Sequence, residues 1–182
     1  MSEARILSVE ELLKLDLVIP SYQRPYKWTE KNIRELILDI QKGIEDAKKY
    51  PNFKYRVGTV ILYQENDTKP YEIVDGQQRI LSFLLLKLCL NPDFTCSLLS
   101  ATFSDKVTLG NLHSNSDRIR EWCSSVDDGV KEAFDKALSE VLEVVVLTVG
   151  ELSEAFQLFD SQNTRGCELY PHDLLKAYHL RE

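Results

Sequence analysis

The stretch YEIVDGQQRILSFLLLKL, residues 71–88, decides the fold. Its first five residues, Tyr71–Asp75, are mostly apolar or β-branched and predict a buried strand. After a turn at Gly76, the run Gln77–Leu90 is apolar on nearly every side, which predicts a helix buried against several elements. Three polar side chains nevertheless stand at the mouth of that helix: Gln77, Gln78 and Arg79.

Upstream of this strand–turn–helix unit, the sequence predicts two helices separated by a loop. Ser8 followed by Glu11 has the spacing of a capping box and predicts a short helix. Two prolines make Ile19–Trp28 an extended loop. Thr29 then caps a helix whose leucines and isoleucines recur at helical spacing.

The remaining elements alternate between strands and helices. YRVGTVILY, residues 55–63, predicts a strand adjacent to Tyr71–Asp75. From Asp93 to about Asp128 the pattern is weak; SDRIREWCSSV predicts a helix and the rest a loop or an insertion. The later segments predict a helix, a buried strand and two further helices: VKEAFDKALSEVL, EVVVLTV, ELSEAFQLFDSQN and PHDLLKAYHLRE. Because the last helix has no terminating signal, we expect residues 1–182 to be a single domain cut from a longer protein.

Composition narrows the class of protein. The 182 residues fit one domain, and no apolar run is long enough to span a bilayer, so a cytoplasmic protein is expected. The net charge of −7 argues against binding DNA with the whole surface, although a local basic pocket remains compatible with it. The four cysteines form no C-x-x-C pair and predict neither a zinc site nor a disulfide framework.

The mouth of the buried helix has the features of an anion site. The first N–H groups of a helix lack intrahelical partners, and the helix dipole adds partial positive charge there. Gly76 lets a phosphate approach the backbone closely, and Arg79 has the planar fork that binds phosphate oxygens. Asp75 either caps the helix or positions a metal or a water. Spacing alone leaves cap and ligand site equally open.

Two further clusters are rich in the same residue types. IPSYQRPYKW, residues 19–28, is either a proline-fixed loop that seals the core or a stiff loop that offers Gln and Arg to a ligand. In FDSQNTRGCELYPHDLLKAY, residues 159–178, the glycine suits a helix end, and Asp173 and Lys176 suit a dipole contact and an ion pair. All three clusters together favour a ligand site.

The order and spacing of these motifs resemble one family. IPSYQRPYKW, VGTVIL, YEIVDGQQR and FDSQNTRGCELYPHDLLKAY together are similar to the N-terminal domain of GmrSD-type, modification-dependent restriction endonucleases. The resemblance runs from Ile19 to Tyr178. It implies an α/β (α+β) fold of the ParB/sulfiredoxin-like kind, a small mixed sheet surrounded by helices. One departure is Tyr170, where the family usually has a Ser or Thr that caps the last helix.

The resemblance also implies function. It implies binding and hydrolysis of a nucleoside triphosphate (NTP), with Mg²⁺ as a candidate cofactor, in a domain that senses modified foreign DNA and controls an HNH-type nuclease domain, C-terminal or on a partner. The implied catalytic residues are Asp75, Gln77, Gln78 and Arg79. The implied nucleotide-binding residues are Tyr22, Gln23, Arg24, Tyr26, Trp28, Gly76, Asn163, Arg165, Gly166, Asp173 and Lys176. In sulfiredoxin itself a Cys occupies the helix mouth; here Gln77 does, so thiol chemistry is not expected.

These residues suggest roles within the site. Arg79 and Arg24 would neutralise phosphate charge, Gln77 or Gln78 would orient the attacking water, and Asp75 would hold Mg²⁺ or that water. Two other functions remain open: a DNA-binding module that reads modified DNA without hydrolysis, and a direct nuclease. The nuclease ranks last because no paired-carboxylate or metal-ligand constellation is visible in the sequence.

Overall fold

The computed structural model describes residues 3–163, and for Gln162 and Asn163 only the backbone. In chain order the elements are β1 (Glu3–Ser8), α1 (Val9–Leu13), β2 (Leu17–Val18), α2 (Glu30–Lys49), β3 (Tyr55–Tyr63), β4 (Tyr71–Asp75), α3 (Gln77–Leu90), a 3₁₀ turn (Ser97–Ser100), α4 (Lys106–Ser125), α5 (Asp128–Glu140), β5 (Leu142–Val149) and α6 (Leu152–Asn163).

The strands form one mixed sheet in the order β1-β5-β3-β4-β2. β1 pairs with β5 and β3 with β4 in antiparallel fashion, whereas β3 with β5 and β2 with β4 are parallel. The register of β3 against β5 shifts between Arg56 and Thr59, which marks a bulge around Gly58. One mixed sheet combined with helices confirms the predicted α/β (α+β) class.

Two cores lie on opposite faces of the sheet because side chains alternate along each strand. On β3, Val60 and Leu62 belong to the main core, to which α1 through α5 contribute. Ile61, between them, belongs to a smaller core with Ala155 of α6. The loop Ile19–Trp28 contacts both α4 of the main helical layer and α6 of the smaller core.

A buried ionic cluster joins three helices of the main layer. Lys87 of α3 is only 2% exposed, and its Nζ lies 2.7 Å from Glu10 Oε2 and 2.7 Å from Asp135 Oδ1. Burial acts to lower the pKa of Lys87, but the hydrogen bonds from Asp135 and Glu10 outweigh burial and raise it. The cluster is a structural tie between α1, α3 and α5.

Most predicted elements are confirmed, and three features correct the prediction. The capping box at Ser8, the strand pair and the bounds of α3 stand as predicted. β1 and β2 were not predicted, and α4 begins at Lys106, well before the predicted SDRIREWCSSV. The beginning of α4 was missed because some of its buried residues, including Thr108 and Asn115, are polar and conceal the apolar period. Within residues 3–163, no helix combines the length and apolarity needed to cross a membrane.

Candidate functional site

The mouth of α3 has backbone N–H donors without partners among the described residues. Gly76 is the helix N-cap with a φ of +95°, a left-handed conformation that favours glycine, and no side chain within residues 3–163 caps the helix. A Cβ at Gly76 would lie 2.7 Å from Val60 Cγ2, so the close packing also requires glycine. Among residues 3–163, no group accepts a hydrogen bond from the backbone N–H of Gln77, Gln78 or Arg79. These three donors are the orphan groups that bind anions at helix N-termini.

The two glutamines at the mouth of α3 contact the Ile19–Trp28 loop in different ways. Gln78 uses both ends of its amide: Oε1 accepts from the backbone N–H of Lys27 at 2.7 Å and of Trp28 at 3.1 Å, and Nε2 donates to Pro25 O at 3.2 Å. Gln77 donates from Nε2 to Arg24 O at 3.0 Å, while its buried Oε1 has no partner among the described residues. Gln78 thus holds the loop with both ends of its amide, whereas Gln77 holds it with Nε2 alone and has an unused acceptor, Oε1, among the described residues.

Arg79 is held by the bulge of β3. Its Nη1 donates to Val57 O and to Thr59 O, both at 3.2 Å. Gly58, between them, has a φ of +124°, and a Cβ there would collide with Nη1. The glycine therefore leaves the space that the guanidinium occupies.

The beginning of the loop lies against β4 and α6. Gln23 Nε2 donates to Ile73 O and Val74 O at 2.7 Å each, which ties the loop to β4 beyond the short β2. The Tyr22 hydroxyl donates to Glu72 Oε2 at 3.0 Å. Arg24 is exposed, and its guanidinium lies 5.7 Å from the centre of the Phe159 ring of α6, a cation–π distance.

The end of the loop is buried. Tyr26 is completely inaccessible, its hydroxyl lies 2.6 Å from Ser82 Oγ, and burial raises the pKa of that hydroxyl. Helix α4 supplies further contacts to this part of the loop through three side chains that the motif analysis missed: Thr108, Asn111 and Asn115. Their spacing on one helical face was the available signal, but without the loop in view they resemble ordinary surface polar residues.

Asp75 is the other charged residue at the mouth of α3, beside Arg79. It ends β4 directly before Gly76 and is half-buried. Within the described part of the chain its carboxylate takes part in no hydrogen bond or ion pair, and it does not cap α3. No group of three or more His, Cys, Asp or Glu side chains in residues 3–163 is arranged to hold a metal ion. Asp75 alone, together with phosphate oxygens and waters, is the kind of oxygen donor that Mg²⁺ accepts.

The structure brings together the predicted residues of the first two clusters. Tyr22–Trp28 and Asp75–Arg79 are linked by the contacts of Gln77 and Gln78. Asn163 is the last residue of α6. Four predicted residues lie outside the described residues, as does the predicted helix PHDLLKAYHLRE: Arg165, Gly166, Asp173 and Lys176.

Comparison with known proteins identifies the family of the chain. No curated protein matches the chain. The family described as "GmrSD restriction endonuclease, N-terminal domain" matches residues 9–180, which include the loop, the strand pair and the polar mouth of α3. A match over this length implies a role in a restriction system. The chain therefore belongs to the family of GmrSD restriction endonuclease N-terminal domains.

Proposed function

We propose that this domain binds a nucleoside triphosphate at the mouth of α3 and hydrolyses it, as the sensor and regulatory part of a restriction system. Four groups at the same helix end carry the proposal because they have no partner among residues 3–163: three backbone N–H donors and the Oε1 acceptor of Gln77, a residue that is 5% exposed. Burying a polar atom without a partner costs free energy, and a ligand that supplies a donor there relieves that cost.

The phosphates would bind the N–H groups of Gln77–Arg79. Positive charge at this point comes from the helix dipole and from Arg79. Two hydrogen bonds hold the Arg79 guanidinium on β3, and its other N–H groups would bind phosphate oxygens. Arg24 is exposed and is in contact with only an aromatic face among the described residues, so it is free to turn towards a phosphate. Phosphoryl transfer requires mainly positioning and charge stabilisation, which these groups supply.

The contacts separate the two glutamines as candidates for orienting water. Both ends of the Gln78 amide are occupied by the loop, whereas Gln77 Oε1 has no partner among the residues that the structure describes. We therefore assign the attacking water to Gln77 and the support of the loop to Gln78. Asp75 would hold Mg²⁺ or fix the same water from the strand side; a bound Mg²⁺ would neutralise charge that develops on the phosphates.

The wider role follows from the family. A GmrSD N-terminal domain implies a nuclease domain in the full protein, which we propose is of HNH type and is controlled by the nucleotide state of this domain in response to modified DNA. A cytoplasmic location, a ParB/sulfiredoxin-like variant of the mixed sheet, and a single domain over residues 1–182 complete the proposal.

A thermal-shift titration with ATP, GTP, CTP and UTP, each with and without Mg²⁺, tests the site. At a nucleotide concentration about one hundred times Kd, the free energy of unfolding rises by roughly 2.7 kcal/mol. We expect one or more nucleotides to stabilise the wild type. Arg24→Gln should weaken the effect, whereas Arg34→Gln, which removes an exposed arginine from α2, should not. No shift with any nucleotide under either condition would contradict the proposal.

A further inference from the structure

The loop segment Arg24–Trp28 has no regular secondary structure, so its backbone polar groups need other partners. On one side these partners come from Gln77 and Gln78, which engage the carbonyls of Arg24 and Pro25 and two loop N–H groups. That half belongs to the motif already described. It leaves the backbone groups of Tyr26 and the carbonyl of Trp28 without partners.

Helix α4 satisfies these groups with side chains at consecutive turns of one face. Thr108 Oγ1 accepts from the Tyr26 N–H at 2.9 Å, and Asn111 Nδ2 donates to the Tyr26 carbonyl at 2.9 Å. Asn115 Nδ2 donates to the Trp28 carbonyl and to the Tyr26 hydroxyl, both at 2.8 Å. Every one of these contacts spans more than 80 residues of sequence, and all of them converge on two loop residues.

The chemistry of this face is specific to the loop. Asn115 is completely buried, and its Oδ1 has no partner among the described residues. An apolar residue at this position would avoid the cost of a buried, unpaired acceptor. A polar residue at position 115 is explained by its Nδ2, which donates the hydrogen bond that the Trp28 carbonyl needs.

We propose that Thr108, Asn111 and Asn115 are positioning residues that hold the nucleotide-binding loop in its binding conformation. They act through Tyr26, and thereby fix the backbone of Arg24 beside Gln77 at the mouth of α3. This inference rests on the proposed nucleotide site. The family motifs quoted above do not include α4. Its three side chains hold the loop from a second side, in addition to Gln77 and Gln78.

Amide hydrogen exchange of the loop tests, without any ligand, whether α4 holds it. Asn111→Asp replaces the half-buried donor by an acceptor that faces the Tyr26 carbonyl. Exchange at residues 26–28 should then accelerate by about tenfold or more, because a buried carbonyl loses its donor. Exchange in α5 should change little. Ser116→Asp adds the same charge to the same helix without contact to the loop and serves as the control, and Asn111→Gln, which keeps the donor, should restore part of the protection.

Nucleotide affinity provides the second readout. For any of ATP, GTP, CTP and UTP that stabilises the wild type, Asn111→Asp should raise Kd by about tenfold, and Ser116→Asp should not. Unchanged loop exchange in Asn111→Asp would overturn the proposal, as would faster loop exchange with an unchanged Kd. If the wild type binds none of the four nucleotides, the proposed function fails, and loop exchange alone still decides whether α4 holds the loop.

Discussion

Gly58→Ala should destabilise the protein largely by displacing the Arg79 guanidinium. The new Cβ would collide with Arg79 Nη1 and lie 3.0 Å from Cζ. Nη1 carries both hydrogen bonds to the bulge of β3, to Val57 O and Thr59 O. The substitution therefore removes interactions of a residue that is distant in sequence, in addition to straining its own backbone.

The expected magnitude has two parts. A non-glycine residue at a φ of +124° costs about 1–3 kcal/mol of backbone strain. Losing a hydrogen bond from a charged donor costs about 1.5–3 kcal/mol. Gly58→Ala should thus lower the free energy of unfolding by about 2.5–6 kcal/mol. In an Arg79→Ala background the collision is absent, so only the strain remains.

A double-mutant cycle measures the difference. Equilibrium urea unfolding of the wild type, Gly58→Ala, Arg79→Ala and the double variant gives a coupling free energy, which we expect to be about 2 kcal/mol. Gly110→Ala is the control for a glycine with open space: a Cβ at this exposed helical position meets nothing within 4 Å, and the change should stabilise the protein by about 0.5–1 kcal/mol. A coupling within about 0.5 kcal/mol of zero would refute the link between Gly58 and the guanidinium.

Two other substitutions test the helix mouth and the buried ionic cluster. Gly76→Ala should lower the free energy of unfolding by about 2–3 kcal/mol, because it combines a φ of +95° with a Cβ only 2.7 Å from Val60 Cγ2; a thermal melt beside Gly110→Ala checks this. Lys87→Met should cost about 2–3 kcal/mol at neutral pH, because it leaves two partly exposed carboxylates without their partner. The hydrogen bonds from Lys14 and Lys87 lower the pKa of Glu10 below 4.5, so its stabilisation is present above that pH and is lost as pH falls. The difference between wild type and Lys87→Met in urea unfolding should therefore shrink in acid; a difference independent of pH would contradict the assignment.

Local patterns predicted the elements that carry their own signal. The bounds of α3 follow from an apolar run that begins after Gly76 and stops at Asn91–Pro92, and both boundaries are local. β1 and β2 have no such signal. β1 (EARILS) is an edge strand that pairs with β5, far away in sequence, and it carries charged residues. β2 consists of two residues and exists as a strand only through its pairing with β4.

The sequence predicted which segments meet at the candidate site better than the hydrogen bonds that each side chain makes there. Residue type and spacing placed Gln23, Gln77 and Gln78 together as candidate ligand contacts, and the structure brings their segments together. Because all three side chains are glutamine amides, the sequence does not indicate which amide oxygen or nitrogen already has a hydrogen-bond partner in the fold. That information comes from backbone carbonyls and N–H groups about 50 residues away, such as those of Pro25 and Ile73.

The contacts divide the site residues into two classes with different expected mutant behaviour. Gln78 holds the loop through hydrogen bonds, whereas the Asp75 side chain makes no hydrogen bond or ion pair among the described residues. Gln78→Ala removes the partner of three loop groups, two of them partly buried, so it should lower Tm by an amount equivalent to about 1–3 kcal/mol and weaken nucleotide binding as well. Asp75→Asn should leave Tm nearly unchanged and impair only Mg²⁺-dependent binding or turnover. Thermal melts of both variants, with and without Mg²⁺ and nucleotide, separate the classes. A Gln78→Ala protein with wild-type Tm and lost binding would move Gln78 from the support of the loop to direct contact with the ligand.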